Sequence, residues 1–347
     1  MSLNLKIPEH DPIRIGDINV GSSLRPKVIA EAGVAHFGSF EKLMRLVDMS
    51  AEAGADFFKM QHFDTEALVN PIDKEWSNRL KGKQVSNSFI TRAKEYCDDK
   101  NIPFLCTAHD ERSLDFLLNK QLVSAVKIGS GERGNFRMID LACSSSLPLI
   151  ISLGMYQERH ILELSEYLSK RGKSDVIFLH CVTAYPVKPE DTNIAYIKFL
   201  KDNFPFQIGY SDHTEGLTFP LAAVVYGASI IEKHISVDFN VPNAQDWKVS
   251  LDGAGLKQLC KQIADLAAAI ANTGSKGQSY SEKSSEGWAL KSPYYNVDCA
   301  TGDKFREEFF DMKRPYTGFS LKDAESYIGS TFKVKIRKGA AFSKKDF

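Results

Sequence analysis

Short apolar runs recur along the chain, and each carries a polar or charged residue at or near its C-terminal end. They occupy 27–33 (KVIAEAG), 56–61 (DFFKMQ), 103–108 (PFLCTA), 124–130 (SAVKIGS), 148–154 (PLIISLG), 175–181 (DVIFLHC), 206–211 (FQIGYS) and 228–234 (ASIIEKH). Between them the apolar residues fall three or four apart, as at Leu43, Leu46 and Val47, or at Ile161, Leu164 and Leu168. The first pattern predicts strands buried on both faces, and the second predicts the helices that cover them. Eight strand–helix repeats in about 250 residues predict a parallel sheet closed into a (β/α)8 TIM barrel. An open doubly wound sheet is the alternative, but no GxGxxG follows the first strand. Before the first strand, 13–21 (IRIGDINVG) alternates and predicts a hairpin plugging the barrel floor.

The periodicity ends after 254–272. Residues 273–287 (TGSKGQSYSEKSSEG) are polar and rich in Ser and Gly, and read as a linker between a catalytic domain over 1–272 and a small β-rich domain over 288–347. About sixty residues make only a marginal core, so the small domain is expected to lean on the barrel or on a second subunit. The 347 residues carry equal numbers of acidic and basic side chains and 43% hydrophobic residues. No basic stripe points to nucleic acid. No signal peptide or membrane-length run is visible, so the expected setting is cytoplasmic, with no membrane partner. Six scattered cysteines without CxxC spacing suggest neither a disulfide framework nor a zinc site built on cysteine.

The run 228–238 (ASIIEKHISVD) sends Glu232, Lys233 and His234 toward the core. Unpaired buried charges cost several kcal/mol each, so either the strand surfaces there or a site uses them. The other strand ends favour a site. They offer Glu31; Lys59 and Gln61; Thr107; Lys127, Ser130 and Glu132; Ser152; His180 with Tyr185 beyond; and Ser211, Asp212 and His213. In a TIM barrel all of these reach one rim. Lys59 and Lys127 with the hydroxyls of Thr107, Ser130, Ser152 and Ser211 could hold a phosphate bearing a carboxylate. Each serine could equally close a local turn, and each lysine could snorkel to solvent. His213 and His234, ending neighbouring strands, could ligate one divalent metal. His180 could join the rim or be a packed, hydrogen-bonded histidine.

The segments AEAGVAHFGS, KMQHF, VKIGSGE, ISLGM, LHCVTAYP, GYSDHTEG and IEKHISVD, in that order, resemble the sialic acid synthase family, including its spore-coat polysaccharide synthases. The tail from Lys313 to Phe347 resembles the antifreeze-like (SAF) domain that ends those enzymes. The resemblance implies condensation of phosphoenolpyruvate with an N-acetylated amino sugar, N-acetylmannosamine or a relative, to give a 2-keto acid and phosphate. It implies Mn2+, or Mg2+ or Co2+, on His213 and His234. It places phosphoenolpyruvate among Lys59, Thr107, Lys127, Ser130, Ser152 and Ser211. Glu31, Gln61, Glu132, Tyr185 and Asp246 would face the sugar, and Glu31 would position or deprotonate the water that attacks C2. Arg314 would cap the sugar site of the other subunit in a domain-swapped homodimer.

The sequence departs from the family on the sugar side, at Ala35, at Ala108 and His109, at Thr183 and at Trp247. The phosphate and metal sets are complete. Two alternatives remain at this stage: a metal-dependent pyruvate or keto-sugar aldolase or synthase on the same barrel, and an inactive carbohydrate-binding protein.

Overall fold

The structure, a computed structural model, describes residues 11–242, 244–271 and 279–347. The chain divides into two compact units, 1–272 and 273–347.

The first unit is a TIM barrel. A hairpin of β1 (Ile13–Ile15) and β2 (Ile18–Val20) precedes eight parallel strands. These are β3 (Lys27–Gly33), β4 (Phe57–His62), β5 (Phe104–Ala108), β6 (Val126–Ile128), β7 (Leu149–Ser152), β8 (Val176–Cys181), β9 (Gln207–Asp212) and β10 (Ile230–His234). They pair in chain order, and β10 closes onto β3 with Ile230 opposite Lys27 and His234 opposite Glu31. Every predicted strand is present within a residue or two.

Side chains alternate along each strand, so one set faces the helices and the other the barrel axis. The outward set packs against helices such as Phe40–Ala53, which buries Leu43, Leu46 and Val47 and is capped by Ser39. The inward set changes character with height. At the floor Ile29, Phe57, Leu105, Ala125, Ile150, Ile177, Leu179 and Ile230 form an apolar cluster sealed from below by Ile13, Ile15 and Val20 of the hairpin. One step further along the strands the inward residues are Glu31, Lys59, Thr107, Lys127, Ser152, Ser211 and Glu232, all buried. The apolar plug excludes water from beneath these polar groups, which must therefore satisfy one another or a ligand.

The second unit is built on β11 (Ser292–Tyr295) and β12 (Phe310–Lys313), an antiparallel pair extended by isolated bridges. Its core is aromatic: Tyr295, Phe305, Phe310, Phe332 and Phe342 are buried together, and the Tyr295 hydroxyl donates to Asp346 at 2.8 Å. The reading of 273–287 as linker needs correction. Residues 272–278 lie outside the described residues, but Tyr280–Ala289 is a helix. A reciprocal capping box starts it, with Glu282 N–H donating to Ser279 Oγ and Ser279 N–H to Glu282 Oε2. No helix among the described residues is long and apolar enough to cross a membrane.

Candidate active site

The polar layer opens into a cavity of about 230 Å3 at the C-terminal end of the strands. Of the residues singled out in the sequence, Glu31, Lys59, Gln61, Thr107, Lys127, Ser130, Ser152, Tyr185, Ser211, His213 and His234 line it. Strand register brings them to similar heights: Glu31 stands opposite Lys59, Gln61 opposite Thr107, and Thr107 opposite Lys127.

The charges form a chain. Lys59 Nζ lies 2.6 Å from Glu31 Oε2 and 3.5 Å from Glu232 Oε2, and donates to Thr107 Oγ1 at 2.9 Å. Glu232 Oε1 is 3.9 Å from Lys127 Nζ and accepts from Ser211 Oγ at 3.0 Å. Lys127 donates to Ser152 Oγ at 2.7 Å. Gln61 Nε2 donates to Glu31 Oε1 at 3.2 Å. Two lysines and two glutamates thus offset each other inside the barrel.

The two lysines respond differently to the same depth. Burial works against the Lys59 ammonium, but Glu232 and Glu31 hold its pKa above the ordinary lysine value. For Lys127, burial outweighs the single strong partner Glu232, Lys59 repels it as well, and its pKa falls. Glu232 is pushed up by burial but brought down to about 2 by Lys127 and Lys59. Lys127 is therefore the cation with the most to gain from an arriving anion.

On the opposite wall His213 and His234 stand with ring centroids 5.4 Å apart, and the Tyr185 ring lies 4.2 Å from His213. His213 Nδ1 is 2.8 Å from Val182 O. A carbonyl only accepts, so Nδ1 is the donor there and Nε2 is the nitrogen left to face a ligand. His234 Nδ1 is buried without a hydrogen-bond partner. These two imidazoles suit a divalent ion as donors. Among the described residues no three His, Cys, Asp or Glu side chains form a cation cage, so its other positions would fall to water and substrate.

Two glycines shape the walls. Gly33 has φ +55°, at an irregularity in the β3–β4 pairing, and a Cβ there would lie 3.4 Å from Asp246 Oδ2 and 3.5 Å from His234 Cε1. Gly154 N donates to Ser130 Oγ, and a Cβ at Gly154 would come within 2.2 Å of Thr183 Oγ1.

Two expected residues of the barrel unit lie off this lining. Glu132 faces an adjoining cavity with Tyr156 and His160, where burial raises its pKa although Asn135 donates to it at 2.7 Å. Asp246 sits behind Gly33 rather than in the cavity lining. Arg314 belongs to the second unit, where its Nε donates to Ala289 O at 2.9 Å.

Three strand-end groups point into the helical layer, not to the rim. His180 lies 2.8 Å from Thr192 O and stacks on Tyr210, while Cys181 takes the inward position. Lys233 and Asp212 pair with each other at 2.5 Å, and Lys233 also donates to Thr214 O. Glu232, flagged by the sequence as a charge sent toward the core but given no role there, is central to the site. It shares a strand face with His234, so strict alternation along β10 carries the signal.

A profile of the NeuB family matches residues 46–275. The chain is similar to the N,N'-diacetyllegionaminic acid synthase of Campylobacter jejuni, 33% identical over 317 residues, 87% of this chain and 94% of that protein. It is 31% identical over 327 residues to the spore coat polysaccharide biosynthesis protein SpsE of Bacillus subtilis, 87% of each chain. Among solved structures, the N-acetylneuraminic acid synthetase of Leptospira borgpetersenii in complex with citrate superposes with a TM-score of 0.72 at 32% identity, covering 79% of this chain and 96% of that one.

Proposed function

The chain belongs to the NeuB family, and from that premise we propose that it condenses phosphoenolpyruvate with an N-acetylated amino sugar, giving a sialic-acid-like 2-keto acid and phosphate. One observation carries the reading: a lysine–hydroxyl cradle and a pair of imidazoles line the same cavity at the strand ends. Lys59, Lys127, Thr107, Ser130, Ser152 and Ser211 are the donors for the phosphate and carboxylate. Gln61, Tyr185 and Glu31 face the sugar, with Asp246 close behind Gly33.

A divalent ion on His213 and His234, Mn2+ or alternatively Mg2+ or Co2+, would supply Lewis-acid polarisation of the open-chain sugar's carbonyl. The residues of the chain do the rest. Lys59 and Lys127 orient phosphoenolpyruvate so that its C3 meets the aldehyde carbon. The incoming phosphate competes with Glu31 for Lys59, and the carboxylate so released takes a proton from the water adding at C2. The C2–O bond to phosphate then breaks, and the lysines and hydroxyls that held the substrate hold the departing phosphate. The enzyme works as a homodimer in which Arg314 of the partner subunit completes the sugar site.

The C. jejuni relative is named for a diacetamido product, so diacetamido sugars belong beside N-acetylmannosamine in an assay. With phosphoenolpyruvate and Mn2+, one such sugar should trigger phosphate release that chelation, His213→Ala or His234→Ala abolishes. Release of phosphate without any sugar, or full turnover by either histidine variant after exhaustive chelation, contradicts the proposal. A phosphate-silent protein would return the case to an aldolase or a binding protein.

A further inference from the structure

His109, a sugar-side departure in the sequence reading, has no assigned role in the lysine–hydroxyl cradle. His109 follows the end of β5, lines the cavity with Lys59 and Lys127, and is partly exposed into it. Its seat is built from neighbours that leave it free to act. Gly129 offers bare backbone: a Cβ there would stand 3.4 Å from His109 Cε1 and 3.7 Å from Nδ1. Phe63 meets the ring edge-on at 6.4 Å. Among the described residues no hydrogen bond reaches either imidazole nitrogen.

The charged groups around the ring come from three elements. Lys59 on β4 and Lys127 on β6 repel a proton on it, and Asp110, its neighbour in the chain, attracts one. Asp110 is already engaged, accepting from the N–H groups of Asp64 and Ser113 at 2.8 Å each. Burial and the two ammonium groups together hold the imidazole down to about 4, so it is neutral near pH 7.

Resting on the phosphoenolpyruvate reading above, we propose that His109 is a third partner of the phosphoryl group, neutral in the free protein and taking up a proton when a phosphate-bearing anion settles beside Lys59 and Lys127. The arriving negative charge offsets the repulsion that keeps the ring neutral, and burial alone is then opposed by a direct counter-charge. Binding draws a proton from solution, so phosphoenolpyruvate binds more tightly as pH falls through the window above the free imidazole's value.

The test is calorimetric titration of phosphoenolpyruvate, without sugar, into the full chain and into His109→Gln and His109→Phe. Each is run at pH 6.5 in buffers of different ionisation enthalpy, which reports the protons taken up. The two substitutions, each checked for an intact melting transition, guard against a folding artefact in either one. Inorganic phosphate serves as a second probe. The wild type should take up more protons than either variant, and both variants should bind about tenfold more weakly, as expected for a lost charge-assisted contact, with the gap closing by pH 8.5. Equal proton uptake by all three proteins, with phosphoenolpyruvate still bound, overturns the role of His109 and leaves the proposed reaction standing. No binding of phosphoenolpyruvate by the wild type overturns both.

Discussion

Lys59 and Lys127 show how one layer of a barrel can set two like residues to different states. Lys59 is held between two carboxylates, while Lys127 has one strong counter-charge and a repelling neighbour. Lys59→Met and Lys127→Met should each raise the phosphoenolpyruvate requirement about tenfold to a hundredfold, the cost of a charge-assisted contact, and change the sugar requirement far less. Steady-state kinetics with each substrate varied in turn measures this, and a dominant effect on the sugar would mean that the two substrates have been exchanged. His36 makes a different prediction, about stability. It is fully buried, its Nδ1 accepts from Gly38 N–H, its Nε2 has no hydrogen-bond partner, and burial lowers its pKa to about 4. The unfolded chain binds this proton near the ordinary value of about 6.5, the folded chain only near 4, so stability drains away as pH falls across that window. Denaturation of His36→Phe at pH 7 and pH 4.5 should show a smaller acid loss than the wild type; an equal loss would place the acid sensitivity elsewhere.

On β10 the two faces of one strand divide structure from chemistry. Glu232 and His234 point to the axis, while Lys233 points outward and pairs with Asp212 where neither has solvent contact. Lys233→Met strands a buried carboxylate and should cost about 3–5 kcal/mol in denaturant unfolding, as broken buried pairs do. A loss below about 1 kcal/mol would mean that water or another donor reaches Asp212. The same strand shows what the sequence made legible. Eight strands, their order and the switch from apolar floor to polar rim follow from where each apolar run stops. The phase within a run is harder to read, because strands buried on both faces lack the polar alternation that marks an exposed side. That is why His180 stays open between rim and packed positions, why Asp212 reads as a rim residue beside the inward Ser211, and why Glu232 carries no role of its own in the sequence. At 279–282 the Ser/Gly-rich composition masked a capping box, so a helix read as linker.

For the whole molecule, the division into two units makes subunit cooperation testable. The second unit has its own aromatic core and carries Arg314, whereas Glu31 lies in the barrel. Glu31→Ala and Arg314→Ala homodimers should both be poor. If Arg314 of the partner subunit completes each site, subunit exchange between the two variants restores one good site and activity rises. If each chain completes its own site, mixing restores nothing. The central claim is that one cavity joins phosphoenolpyruvate to an amino sugar and expels phosphate by breaking the C2–O bond. Mass spectrometry of both products, from phosphoenolpyruvate carrying 18O at the bridging position, tests it most directly. The account predicts heavy phosphate and an unlabelled 2-keto acid whose carbon skeleton is the sugar's extended by three. Label retained in the organic product, or heavy phosphate formed with the sugar unconsumed, would contradict it.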